Sequence, residues 1–164
     1  MFRLLSLCQQ LQDSAFGTSL RESAYAFPIT ETIHVLALSL AVGTIIWFDL
    51  RLAGFAFRDT PVSTVFHQVR PWMSVGFAAM FITGGMLFAA HAADVFESVY
   101  FRMKIGLLLL AAVNILAFHL TIDRRRAEWD NTPTPPLQAR IAGLCSIVLW
   151  FGVIAAGRFT AYTL

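Results

Sequence analysis

The sequence predicts an all-α protein: a four-helix membrane bundle with short interfacial helices at the N-terminus and before the second span. Three observations carry that prediction. Of 164 residues, 57% are hydrophobic and only 13% are charged, about half the roughly 25% usual for soluble domains. The mean hydropathy is +0.67, more apolar surface than a soluble domain of this length can bury. Finally, the apolar residues fall in four continuous runs, each long enough for the ~20 residues of helix that cross a hydrocarbon core. Continuous runs point to helices rather than to the alternating strands of a barrel.

The N-terminal segment places Leu4, Leu7, Cys8 and Leu11 on one helical face and Gln9, Gln10, Gln12 and Asp13 elsewhere. This is the pattern of a helix lying in the membrane interface. It is too short and too interrupted by glutamine for a cleavable secretory signal. The first span is expected at about 27–48, with Pro28 in its first turn, where an amide would lack a partner anyway. Thr60 and Pro61 resemble a helix start, and Val62, Val65, Phe66 and Val69 repeat at helical spacing. They predict a separate surface helix that carries His67 and ends at Pro71. The second span is expected at 72–93, the third at 101–122 and the fourth at 140–162. Between the last two, DRRRAEWDNTPTPP holds three prolines and reads as a loop. The whole chain, 1–164, is expected to form one membrane domain.

Lysine and arginine set the expected orientation. Arg51, Arg58, Arg70, Arg124, Arg125, Arg126 and Arg140 flank the loops after spans one and three; Arg3, Arg21, Arg102, Lys104 and Arg158 lie toward the other side. The seven-to-five bias puts the first set in the cytoplasm and both termini outside, in the periplasm of a bacterial inner membrane. A net charge of +2 does not suggest nucleic acid. Cys8 and Cys145 have no metal-type spacing and suggest no disulfide framework.

The four histidines are His34, His67, His91 and His119. In this topology His34 and His91 fall near the outer face, His67 and His119 near the inner one. Imidazole is a common axial ligand of haem iron, so the expected cofactors are two haem b groups, one on His34 and His91, the other on His67 and His119. Arg102 and Lys104 outside, and Arg70 and Arg124 inside, are the expected propionate partners. Gly84, seven residues before His91 on the same helical face, would leave room for a flat ring; Gly43, Gly85, Gly106 and Gly152 are similar. Glu31, one turn before His34, is the expected acceptor for its second ring N–H. One number resists: His67 and His91 are 24 residues apart, about 36 Å on one straight helix.

Blander readings stand beside these. The histidines could simply join helices, and the glycines could be close-packing points. The Arg124–Arg126 run would hold topology, and Asp49 and Arg51 would be span-end charges. The methionines read as packing, with no motif for copper. Serine-nucleophile, phosphate-loop and zinc-protease signatures are absent.

Phe27-Pro28-Ile-Thr-Glu31-Thr32-Ile-His34, followed by Gly43 and then by Phe48-Asp49-Leu-Arg51, resembles a family of small bacterial four-span membrane proteins. That resemblance makes Glu31, His34, Gly43, Asp49 and Arg51 the positions to examine. The layout is also similar to di-haem membrane b-type cytochromes, although here the fourth span has no histidine. The resulting expectation is a membrane b-type cytochrome in a lipid bilayer. It would carry electrons between a quinol (a quinone pool) and a redox partner protein, either alone, as a homo-oligomer or within a larger oxidoreductase complex. The alternatives are a metal or small-solute transporter using the same histidines, and a cofactor-free membrane subunit.

Overall fold

A computed structural model describes residues 2–162, and the described residues are helical or loop with no strand. Two short helices, α1 (Phe2–Gln12) and α2 (Ala15–Glu22), precede four long apolar segments. These are α3 (Ala26–Ala53), α4 (Val62–Ala90), α6 (Val99–Ala117) with its continuation to Trp129, which ends in the short α7 (Arg126–Trp129), and α8 (Leu137–Tyr162); the short α5 (Ala92–Glu97) joins α4 to α6. Their most apolar windows have mean hydropathies of 1.7–2.3, and only 11–33% of those windows is buried inside the protein. Helices that are apolar on their outward faces need lipid around them. The chain is an integral membrane protein.

The elements begin and end for local reasons. Ser14 caps α2, its hydroxyl accepting from the Gly17 N–H. Gly54 ends α3 in the left-handed conformation at φ 77°, which glycine adopts without strain. Pro61 cannot cap α4 with a side chain, and the cap comes from a distant loop instead. The Asp130 carboxylate accepts the Ser63 N–H at 2.7 Å and the Ser63 hydroxyl at 2.6 Å, while the Asp130 carbonyl accepts the Val62 N–H.

The expected break between a surface helix and the second span does not occur. Residues 62–90 form one helix, with Pro71 inside it. Proline removes one ladder bond and usually kinks or stops a helix, but Pro71, exposed in the interior of α4, is carried by packing on α3 both before it, at Val69, and after it, at Gly76. The consequence is that the 24-residue separation of His67 and His91 remains about 36 Å of continuous helix, so the two residues mark opposite ends of α4.

The long helices run antiparallel in sequence order, but their packing order is α4–α3–α8–α6. α3 packs on α4 and α8, and α8 on α6, whereas α4 and α6 barely meet. α3 and α4 approach closely at Gly76, where an added Cβ would stand 2.7 Å from the Ala41 nitrogen. The α4–α6 seam is therefore a lateral slot in the bundle, floored by α3 and α8. Phe88 of α4 and Phe101 of α6 stack across it at 5.5 Å. The bundle has a terminal end, where α3 and α6 start and α4 and α8 finish, and a loop end, made by 54–61 and 123–136.

Arg51 is the keystone of the loop end. It is completely buried. Its Nε donates to the Thr60 carbonyl at 2.7 Å and its Nη2 to the Thr132 carbonyl at 3.0 Å, tying both loops to α3.

Candidate functional site in the α4–α6 slot

Two spaces lie along the slot, one toward each end. The terminal-end space, about 140 Å³, is lined by His34, His91, Lys104, Gly84 and Glu31, among others. Five residues from three separate stretches of the sequence, all expected at one site, are thus brought together. Arg102 is not among the lining residues; it is exposed and donates to the Glu97 carbonyl.

His34 projects from α3 against α4. Its Nδ1 lies 2.8 Å from Thr83 Oγ1, and the Thr83 hydroxyl lies 2.6 Å from the Ala79 carbonyl of the turn before it. A hydroxyl has one proton, and the nearby carbonyl takes it. Oγ1 therefore accepts from His34 Nδ1–H, and in the neutral ring Nε2 keeps the lone pair. This is the tautomer that second-shell partners set for metal-binding imidazoles. The acceptor is Thr83 on the neighbouring helix rather than the expected Glu31, because His34 faces α4 while Glu31 is exposed at the rim. Gly84 supports the same ring: an added Cβ would stand 3.1 Å from His34 Cε1. The room that this glycine provides is filled by the imidazole itself.

His91 occupies the break between α4 and α5, with φ −136° and ψ 37°. The N-terminal helices hold that break. Arg21 donates to the Ala90 carbonyl at 3.0 Å, and Gln12 accepts the Ala93 N–H at 2.8 Å, covering the end of α4 and the start of α5. Phe27 meets the His91 ring edge-on at 5.3 Å. Lys104 stretches along α8, 3.6 Å from the Cβ position of Gly157, and among the described residues no carboxylate lies within salt-bridge distance of it.

The loop-end space is larger, about 290 Å³, and chiefly apolar. His119 lines it, and His67 does not. His119 sits in a single π-helical turn, Phe118–Ile122, a distortion frequent at functional sites. Its Nδ1 is 3.0 Å from Asp123, which also pairs with Arg126. His67 is exposed, and the Phe66 ring lies 6.1 Å from His67 and 6.4 Å from His119. Arg70 and Arg124 are exposed and do not line this space.

Composition and spacing did not single out three polar residues here: Asp49, Asn114 and Ser146 also line the loop-end cavity. Of these, Asp49 is 4% exposed, and its Oδ2 has no hydrogen-bond partner among the described residues. The resemblance of the 27–51 stretch had flagged Asp49, while its position at a span end suggested only a charge at the interface.

Residues 18–163 match a family of unknown function, DUF6644. The chain belongs to that family. The match covers all four long helices of this DUF6644 protein and both spaces along its slot, and it carries no chemistry of its own. No curated protein and no solved structure matches the chain.

Proposed function

We propose that this DUF6644 protein is a membrane electron carrier that holds a haem b between His34 and His91 at the terminal end of the α4–α6 slot. The observation that carries the reading is the convergence of two imidazoles, from α3 and from the α4–α5 break, on one space, with the tautomer of the first fixed by Thr83. Among the described residues no group of three or more His, Cys, Asp or Glu gathers. Two imidazoles underfill the shell of a bare transition metal, but they complete one whose other four ligands come from a tetrapyrrole. A bis-imidazole haem supplies one-electron redox chemistry without an open coordination position.

The other groups fit that role. Lys104, a cation in an apolar span with no carboxylate partner among the described residues, suits a propionate. The enclosed 140 Å³ is below the ~300–1,000 Å³ of pockets that surround drug-sized ligands. A macrocycle therefore needs the Phe88–Phe101 stack to part, and the slot opens in that direction, toward lipid. A second haem on His67 and His119 has less support, since the cavity that His119 lines omits His67; the proposal is for one. The arginine bias orients the loop end to the cytoplasm and the termini to the periplasm of a bacterial inner membrane. Electrons would come from a lipid-soluble quinol and leave to a redox partner protein.

The test is a visible spectrum of the purified protein from haem-replete cells. A Soret band is expected, with sharp α and β bands on reduction. His34→Ala and His91→Ala should each abolish the low-spin bands while helical circular dichroism persists. A colourless wild-type preparation would reject the reading.

A further inference from the structure

We infer that the loop-end cavity is a binding site for a hydroquinone headgroup, entered from the bilayer between α4 and α6 and recognised by Asp49. The inference deepens the electron-carrier proposal, and rests on it for the choice of a redox-active lipid; the site itself is argued from its own residues.

The cavity is bounded by α3, α4, α6 and α8 and so lies under the open seam. Its volume, about 290 Å³, is at the lower edge of ligand pockets, which suits one substituted ring rather than a macrocycle. Phe48, Phe66, Phe77, Phe118 and Trp150 supply aromatic walls, suited to the face and edge of another ring.

The polar groups are few, and their character is specific. Asp49 is a buried carboxylate, and Ser146 is its polar neighbour on α8. Its Oδ2 lacks any donor, an expensive condition in an apolar interior. Arg51, two residues on, does not relieve it, because the Arg51 hydrogen bonds go to the two loops. A carboxylate oxygen accepts, and so does the carbonyl oxygen of the neutral acid, so in either form a ligand hydroxyl that donates would satisfy Asp49. His119 adds a second acceptor. With Nδ1–H held by Asp123, the neutral ring leaves Nε2 unprotonated. The Asn114 side chain is fixed by its own donation to the Ala142 carbonyl at 3.0 Å. Two acceptors on different walls of an aromatic, lipid-accessible cavity match a ring bearing two hydroxyl donors. A hard metal ion would find too few oxygens here, and an acyl chain would leave Asp49 unmet.

The experiment titrates the full-length protein in nanodiscs, reading the fluorescence of Trp150 on the cavity wall, with Trp150→Phe as the control for signal origin. The probes are tetramethylhydroquinone, its dimethyl ether, which cannot donate, and benzyltrimethylammonium. The wild type should bind the hydroquinone at least tenfold more tightly than the ether, and Asp49→Leu should bring the two together. Ala111→Phe keeps the carboxylate and narrows the cavity; it should weaken both ring probes about equally. Equal binding of hydroquinone and ether by the wild type would overturn the inference. So would a preference that survives in Asp49→Leu, or tighter binding of the ammonium probe. Repeating the titration on the His34→Ala, His91→Ala double variant separates the two proposals. A hydroquinone preference retained there supports this site whatever the haem spectrum shows, and its loss in a wild-type protein that does show haem bands removes this inference alone.

Discussion

Three glycines on α4 should behave in three different ways when changed to alanine. At Gly76 the new Cβ would stand 2.7 Å from the Ala41 nitrogen and 3.0 Å from its Cα. The obstacle is the backbone of α3, which cannot rotate aside, so the helices must part. Overpacking of this kind costs about 1–3 kcal/mol, and a backbone obstacle belongs near the upper end. Gly→Ala in a helix interior returns roughly 0.5–1 kcal/mol, leaving a net loss of about 2 kcal/mol. At Gly85 nothing lies within 4 Å, so only the gain remains. The two variants should differ by about 3 kcal/mol, or roughly 6–12 °C in melting temperature for a chain of this size. Gly84 lies between these cases. Its Cβ would stand 3.1 Å from His34 Cε1, and a side chain yields by a few tenths of an ångström at little cost. Gly84→Ala should therefore stay within about 0.5 kcal/mol of wild type, yet lower haem affinity about tenfold through the displaced ligand. The assays are thermal unfolding by circular dichroism in detergent and haem titration of the apoprotein. Melting temperatures for Gly76→Ala and Gly85→Ala that agree within 2 °C would refute the α3–α4 packing. Unchanged haem affinity in Gly84→Ala would refute the role given to His34.

Three further outcomes are expected. Thr83→Val keeps the shape but removes the acceptor for His34 Nδ1–H, so haem should bind roughly 10–100-fold more weakly, measured by titration against the Soret band. Asp130→Ala removes the distant cap of α4 and should lower stability by about 1–2 kcal/mol, read from the unfolding midpoint. Replacing a buried carboxyl whose Oδ2 is unpartnered with an apolar side chain of similar size should not destabilise the fold; Asp49→Leu is expected to melt at or above the wild-type temperature, a result that would mark Asp49 as kept for binding rather than for structure.

The helices and the chemistry-bearing residues were legible to different degrees. The four long helices follow from uninterrupted apolar length, and His34, Gly84, His91 and Lys104 share a space because helical period and span polarity already place them within about two turns of one another toward one end of the bundle. Pro71 misled, because packing of α4 along α3 on both sides of it outweighs the one ladder bond that proline removes. The loop-end histidines matched in depth but did not both reach one cavity: adjacent residues on a helix point about 100° apart, and Phe66, next to His67, faces the cavity.

Apolar run length and the positions of charge determined, from the sequence alone, that this is a four-span membrane protein with two histidines near each end. Depth along a helix is a property of residue number, so it can be counted. Which helices touch is not. Only the tertiary structure decided that α4 and α6 stand apart, that Thr83 rather than Glu31 holds His34, and that Asp49 faces an apolar cavity with its Oδ2 unpartnered. Those facts depend on rotation about each helix axis and on packing between segments distant in sequence, neither of which a hydropathy pattern encodes when a helix is apolar on every side.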